Sequence, residues 1–483
     1  MNMKMYVRLI SLILAAASAA LLVSCGGTPP TGSDEATASG TDTAITEADV
    51  TTELTDDLPP LDFEGHEFLV YSRYAPLYFL GPLDVEAENG EVVNDAIFRR
   101  NRTVEERLNI VFTELTYTNN DQPRTLLLAA DDTYDMMQAK GLNAFNYAAE
   151  GLLREWKELD YIDLDKPWWD MSITDALYIK NKLYFAVGAY NLSSYEFTHM
   201  LLFNKNLAEN LNLGDLYAIV NDGSWTFDKF HSLALQAVTD LDGDGRFTDA
   251  DQYGLVSQPK QVLPCFWIAA NVLSIDRDAD GTLTFAAKEN PKFAEVYQRI
   301  FEVTRGDNIF YEMSISLDDV NEISKLFVAG QSLFHDVDCN RVPSLRSMDT
   351  DFGILPFPKY TEAQDRYYTR IEGCEMPIIP LAVGNLDRTG AILEAMSSTS
   401  YTTVVPAYYE VALKGKYTRD ETSVEMLNII FGNRVYDLGD TILTSEMRDG
   451  PFREKYAADD RDLASTLATM ESAVLAKLKK FSE

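Results

Sequence analysis

The chain has 483 residues, with 41 Lys and Arg against 76 Asp and Glu, for a formal charge of −35. At roughly 100–200 residues per domain the length allows two to four domains and a large core, and an apolar fraction of 46% excludes disorder of the whole chain. The acidic excess excludes sequence-independent nucleic-acid binding, which needs basic patches, and electrostatic docking on anionic lipid; four cysteines and four histidines make neither a disulfide framework nor a His-rich metal site.

Lys4 and Arg8 lead into an apolar stretch from Leu9 to Val23. Its length suits the core of a signal peptide and is short for a membrane span. The sequence that ends it, Leu22-Val23-Ser24-Cys25-Gly26, resembles the lipobox of bacterial lipoproteins. That resemblance implies a signal peptide over residues 1–24, lipidation of Cys25, and attachment to the extracellular face of the cell membrane through the lipid alone. Loss of Lys4 and Arg8 with residues 1–24 takes the formal charge from −35 to −37. No later stretch has 18 apolar residues in a row, so no further span is expected. Residues 25–60 are rich in Gly, Thr, Ser, Ala and Pro, with eight acids and no Lys, Arg or aromatic residue. Such a segment cannot bury enough apolar surface to offset chain entropy, and it reads as a disordered acidic tether.

The folded body is expected from Leu61. Phe68–Tyr71 is a short apolar run consistent with a buried strand. Asn94–Leu108 carries apolar residues at 97, 104 and 108 between charges, the pattern of an amphipathic helix. Ile110–Phe112, Tyr134–Met137, Leu183–Val187 and His199–Phe203 are further strand candidates. Asn290-Pro291 provides a helix cap followed by Pro, with Phe293, Val296, Tyr297, Ile300 and Phe301 at helical spacing. Phe352–Pro358 reads as a strand that Pro ends. Strands alternating with helices predict an α/β protein with parallel sheets covered on both faces.

Residues 240–251, Asp-Leu-Asp-Gly-Asp-Gly-Arg-Phe-Thr-Asp-Ala-Asp, match a calcium loop. Calcium takes six to eight oxygens, and such a loop supplies them from alternating positions. Asp240, Asp242 and Asp244 are the first, third and fifth ligands, Arg246 offers its carbonyl, and Asp251 takes the twelfth position. An Asp replaces the usual Glu there, as in dockerin-type loops, and Gln252–Leu255 looks like a strand rather than a second helix. The expected cofactor is a structural calcium ion; the alternative is a solvated acidic turn.

A series of stretches resembles bacterial extracellular solute-binding proteins of ABC importers, of the family 1, sugar-binding type. They are Leu202–Leu207, Asn221–Phe230, Leu326–Phe334, Phe352–Pro358 and Gly373–Pro380, in family order over most of residues 62–450. The resemblance implies a two-lobe periplasmic-binding-protein-like fold, type II-like, with a hinge and an interlobe cleft. It places crossings near Asn191–Thr198, Leu355–Tyr360 and Thr402–Pro406. Lobe 1 is then 61–190 with 356–402, and lobe 2 is 191–355 with 403–483.

Sugars present flat CH faces and many hydroxyls, which aromatic rings and polar side chains recognise. Open α/β sheets bind ligands at the carboxyl ends of their strands. That rule selects Arg73 and Tyr74 after the first strand, Gln138 and Lys140 after the third, Tyr190 at the first crossing, Asp336 and Asp338 after the strand through Phe334, and Glu372 before Gly373. The family resemblance adds Trp267. Trp168, Trp169 and Tyr408 are candidates for a cleft wall or for a packed corner, whereas Trp225 reads as core. Cys265, Cys339 and Cys374 read as free buried thiols, with one disulfide as the alternative.

No Gly-x-Ser-x-Gly elbow, His-Glu-x-x-His helix or phosphate-cradling Gly loop is present, and the chain is not read as an enzyme. The expected function is that of a monomeric, lipid-anchored binding protein that delivers an oligosaccharide to the membrane subunits of an ABC importer. The alternatives are peptides or other polar solutes as ligand, or a secreted glycoside hydrolase.

Overall fold

The computed structural model describes residues 54–73, 81–312, 324–410 and 421–482. The leader, Cys25 and Tyr74 lie outside the described residues. Two sheets organise the chain. The first joins β1 (His66–Arg73), β2 (Ile110–Tyr117), β3 (Met136–Lys140) and β12 (Glu375–Ile378) in the order β12-β3-β1-β2. The second joins β4 (His199–Asn204), β5 (Tyr253–Ser257), β8 (Phe310–Glu312), β9 (Ser332–Asp338) and β10 (Phe352–Leu355) in the order β10-β4-β9-β5-β8. Short pairs β6 (Asp276–Arg277) with β7 (Leu283–Thr284), and β11 (Thr369–Arg370) with β13 (Arg434–Val435), complete the strands.

The sheets are mixed, not parallel throughout. Strands β1, β2 and β3 run parallel and β12 enters antiparallel to β3; β4 is antiparallel to both β9 and β10. A strand that returns from a distant part of the chain is free of the helix-crossover rule that keeps neighbouring βαβ strands parallel. Leu183–Val187, expected as a strand, is irregular. Its apolar side chains satisfy a buried loop as well as a strand, and an unbroken apolar run carries no period to separate the two.

Helices form where pattern and cap agree. Asn290 accepts a hydrogen bond from Lys292 N, Pro291 takes the first helical position, and Phe293, Val296, Tyr297, Ile300 and Phe301 are buried along Pro291–Thr304. Helix Val92–Leu108 buries Ile97, Val104 and Leu108 and ends at Asn109 in the left-handed conformation.

The connections differ from the expected boundaries. Residues 356–368 stay with the second sheet: Lys359 bonds Trp225 O through its N–H, and its carbonyl accepts from Phe227 N. The chain reaches the first sheet only at β12. Helix Val404–Glu410 packs on Val92–Leu108, and helix Leu463–Ser482 packs on Gly141–Ala149 with Phe481 against Phe145. Both helices thus pack on elements of the first sheet's side, while Leu463–Ser482 also touches β7 and Tyr408 reaches Cys339. The end of the acidic tether is also folded down: Asp56 accepts two bonds from Arg107, at 2.6 and 2.8 Å, and one from Ser398.

The second sheet is covered by an aromatic cluster in which Trp225 and Phe230 face Phe334, and Phe266 contacts Phe227, Phe230 and Phe357. Trp225 is core, and its Nε1–H bonds Pro356 O at 2.9 Å.

Candidate functional site

The carboxyl ends of β1 and β3 bring Arg73 and Lys140 to one edge of the first sheet, with Glu375 of β12 directly opposite Lys140. Arg73 is paired with Glu375 at 2.5 Å. From the second sheet, β9 ends at Asp336 and Asp338 beside His199 at the start of β4. Between them runs the segment from β11 to β12. Its Ile371 bridges Thr198, and Glu372 N bonds Phe197 O.

A buried ionic network fills this junction. Arg370, fully buried, grips Asp440 through Nε at 2.6 Å and Nη2 at 2.9 Å. Its Nη1 donates to Gln261 Oε1 and lies 2.9 Å from His199 Nε2. His199 Nδ1 faces Asp336 Oδ1 at 2.8 Å and its Nε2 stands 3.4 Å from Glu372 Oε2; burial would lower the imidazole pKa, but Cys265 and Asp336 raise it well above its ordinary value. Burial alone would raise the Asp336 carboxyl; His199, Ser257 and Arg370 together hold it below its ordinary value. Glu372 is likewise opposed by burial but held well below the usual carboxylate range by Arg448 at 3.2 Å, by His199, by Arg370 and by Lys260. Asp338 is buried and paired with Arg341 at 2.7 Å.

His199, Cys265 and Asp336 bring a nitrogen, a sulfur and an oxygen within 4.8 Å of one another. This is not a metal centre: the Arg370 guanidinium occupies the open side of His199, where a cation would have to sit.

Of the expected polar residues, Arg73 is paired with Glu375, Glu372 with Arg448 and His199, Gln138 with Tyr190, Asp336 with His199 and Asp338 with Arg341. The expected aromatic residues among those described are buried. Trp168 and Trp169 are buried in a corner where both indole N–H groups bond Glu394, at 2.8 and 2.9 Å. Gly188 lies against Trp169 so closely that a Cβ there would stand 2.5 Å from the ring. Burial first pushes Glu394 up to about 7, against the pull of the two indoles. Trp267 is packed among Phe293 and Phe452 and bonds Asp437 at 2.9 Å. Tyr190 Oη accepts from Gln138 Nε2 at 3.0 Å, and both residues are buried. Tyr408 is buried with its Oη 3.2 Å from Cys339 Sγ. These are packing positions: a large ring with a polar tip serves a core as readily as a ligand surface. Cys265, Cys339 and Cys374 are free and buried.

Arg370, Asp440 and Arg448 were not singled out from the sequence. Arg370 and Glu372 alternate along an extended segment, a weak strand signal, but their partners lie about 70 residues further along the chain.

The calcium-like loop is a separate place. Gly243 and Gly245 adopt positive φ of 72° and 81°, which lets the backbone turn so that Asp240, Asp242 and Asp244 bring carboxylate oxygens within 4.8 Å of one another. Asp240 already accepts from Gly243 and Gly245 N–H groups. Asp251 does not join the three. It is buried, accepts from Leu241 N at 2.9 Å and Thr248 N at 2.8 Å, and braces the loop from behind. Those N–H groups, Thr248 first, hold its carboxyl below the ordinary value. Phe247 packs on Tyr253, and a bridge from Thr239 to Gln252 closes the base.

No sequence-family model matches the chain, and no curated protein does. Solved structures do match it. An ABC substrate-binding protein of Listeria monocytogenes in complex with cycloalternan superposes with a TM-score of 0.54 at 14% identity, covering 85% of this chain and 99% of that one. A cyclo/maltodextrin-binding protein complexed with maltotetraose gives 0.58 at 12% identity, over 85% and 97%. The cyclic α-maltosyl-1,6-maltose-binding protein of Arthrobacter globiformis gives 0.57 at 15% identity, over 86% and 99%. The chain therefore has the two-domain periplasmic-binding-protein-like fold, one domain on each sheet. Among the described residues no helix is long and apolar enough to cross a membrane.

Proposed function

We propose that the protein is a monomeric, lipid-anchored solute-binding protein that captures an oligosaccharide between its two domains and presents it to the membrane subunits of an ABC importer. The observation that carries this reading is the fold. Nearly the full length of several oligosaccharide-binding proteins is matched by this chain, and the matched proteins named above are binding proteins rather than enzymes. The lipobox at Cys25 supports the anchor and an extracellular location.

Arg73, Lys140 and Glu372 stand where the two sheets meet. A ligand that touches both sides favours a closed form by its differential affinity for the two arrangements. The segments near residues 197–198, 369–374 and 433–435 connect the domains and act as the hinge. Asp240, Asp242 and Asp244, with the Arg246 carbonyl, would hold a structural calcium ion; an oxygen-only donor set around two glycine turns fits calcium. The ion would fasten an exposed loop and takes no part in ligand capture.

The test is thermal unfolding of the protein with a panel of oligosaccharides and peptides. A ligand at 100 times its dissociation constant stabilises the native state by about 2.7 kcal/mol. A shift with one saccharide class, with the saccharide intact afterwards, is the expected result. Shifts with peptides alone would overturn the saccharide assignment, and consumption of the saccharide would replace binding by hydrolysis.

A further inference from the structure

The three chain crossings between the domains lie side by side and are bonded to one another. Thr198 of the first bridges Ile371 of the second. Thr369 N donates to Asn433 O at 2.9 Å and Ile371 N to Val435 O at 3.3 Å, which joins the second to the third. In this ribbon Thr369 stands opposite Arg434, and Arg370 opposite Val435. Side chains alternate along a strand while cross-strand partners share a face, so Arg370 and Arg434 leave the ribbon from opposite faces. Each holds a different domain. Arg370 grips Asp440 of helix Leu438–Thr441, donates to Gln261 of helix Pro259–Ala269, and lies 2.9 Å from His199 of β4, all on the second domain's side. Arg434 is turned to the first domain. Its Nη2 donates to Asp170 Oδ2 at 2.5 Å and its Nη1 to Ser194 Oγ at 3.3 Å, and the guanidinium lies 4.2 Å from the centre of the Tyr195 ring. Asp170 follows the Trp168–Trp169 corner, which Glu394 of helix Leu386–Thr402 fixes to the first domain. Both arginines are buried.

The second crossing passes from one domain's hold to the other's within a few residues. Gln261 Nε2 ties Glu372 to the second domain at 3.1 Å, while Arg73 and the pairing with β3 tie Glu375 to the first. Between them lies Gly373. A Cβ built there would meet no atom within 4 Å, and its φ is not in the left-handed region. Neither packing nor backbone geometry therefore requires a glycine in this arrangement. What glycine adds is freedom to change φ and ψ as the segments on either side turn. The third crossing makes the same passage, from Arg434 on the first domain's Asp170 to Asp437, which accepts from Trp267 and Ser274 of the second.

We propose that Gly373 is the joint about which the two domains turn, and that Arg370 and Arg434 are positioning residues that fasten the ribbon to the second and the first domain. Together they set the angle from which closure starts. This rests on the closing motion of the solute-binding reading above, but not on the identity of the ligand.

The experiment is pulsed electron paramagnetic resonance on the ligand-free protein with spin labels at Leu128→Cys and Leu235→Cys, exposed helix positions on the first and the second domain. Cys265, Cys339 and Cys374 are buried and stay unlabelled in the native protein. Gly373→Ala is expected to narrow the distribution of inter-label distances by about a third without lowering the unfolding midpoint. Each grip is removed together with its acid, as Arg370→Met with Asp440→Asn and as Arg434→Met with Asp170→Asn, so that no charge is stranded. Each pair is expected to broaden the distribution about twofold, and Arg434→Lys to broaden it less. Phe230→Leu, in the aromatic cluster of the second sheet, is expected to lower the midpoint and leave the width unchanged. A width unchanged by Gly373→Ala overturns the joint. A width unchanged by both paired variants, or broadened as much by Phe230→Leu, overturns the grips. Either result leaves the saccharide reading standing, because no saccharide is present; that reading falls only with the thermal-unfolding panel above.

Discussion

The aromatic cluster on the second sheet and the ionic network at the domain junction are equally buried, yet they are held together in opposite ways. Around Trp225, Phe230 and Phe334 the side chains meet ring to ring, with one hydrogen bond from the Trp225 indole to Pro356 O, and stability follows mainly the area removed from water. Around Arg370 the same depth contains Asp440, His199, Asp336, Glu372 and Arg448, each of which would be costly if left alone. The first region tolerates a change in proportion to the volume removed. The second is all-or-nothing, because losing one member strands the charge of its partner.

The sharpest way to break this comparison is to remove one charge. Asp440→Asn leaves the Arg370 guanidinium buried without its bidentate partner and is expected to lower unfolding free energy by about 3–5 kcal/mol, read by urea titration. Adding Arg370→Met to it should restore part of the loss. A single-variant effect under about 1 kcal/mol would show that the network is not held by charge pairing. Phe230→Ala should destabilise by about 3–5 kcal/mol through the cavity it leaves, while Phe230→Leu should cost clearly less. If Leu and Ala are equally damaging, the aromatic region too depends on specific contacts rather than on volume.

A smaller effect tests the corner where the two kinds of region meet. Glu394 is buried between two indoles, and its folded pKa of about 7 exceeds that of the unfolded chain. Between about pH 4.5 and 7 the native state therefore binds more protons than the unfolded state, and this group's contribution to stability is present at low pH and lost as pH rises through about 7. Glu394→Gln is expected to flatten the fall in unfolding midpoint over that window; an unchanged slope would assign the proton elsewhere. The smallest effect expected is at the calcium-like loop. Chelation should lower the midpoint by a few degrees, and Asp242→Asn should remove that sensitivity, since the loop is exposed and anchored mainly by Phe247 and Asp251. No response to chelation in the wild-type protein would make the loop a solvated turn.

The two regions were also unequally legible in the sequence. Periodicity and capping identify helices such as Pro291–Thr304, because their apolar residues and the Asn290 cap are local facts. The strand-end rule puts Arg73 and Lys140 where β1 and β3 end, because a parallel strand fixes where its carboxyl end lies, whereas Glu372 falls in the segment between β11 and β12. It does not find Arg370, Asp440 and Arg448, whose meaning depends on partners far along the chain. Nor could the sequence decide Trp168, Trp169 and Trp267: an indole bonded to a buried Glu394 or Asp437 looks, in one dimension, like an indole facing a ligand. The order of the crossings was displaced for the same reason. Lys359 is held to Trp225 and Phe227 by backbone bonds that no local pattern announces.

The interleaving of the two sheets sets the order in which they can be finished as the chain emerges. All five strands of the second sheet lie between His199 and Leu355, so it is complete once Leu355 is available. The first sheet starts at His66 but lacks its edge strand until Ile378, and the helix that covers Gly141–Ala149 arrives only with residues 463–482. Contacts between such distant segments form slowly, because loop closure must precede them. The domain made first is thus the domain finished last.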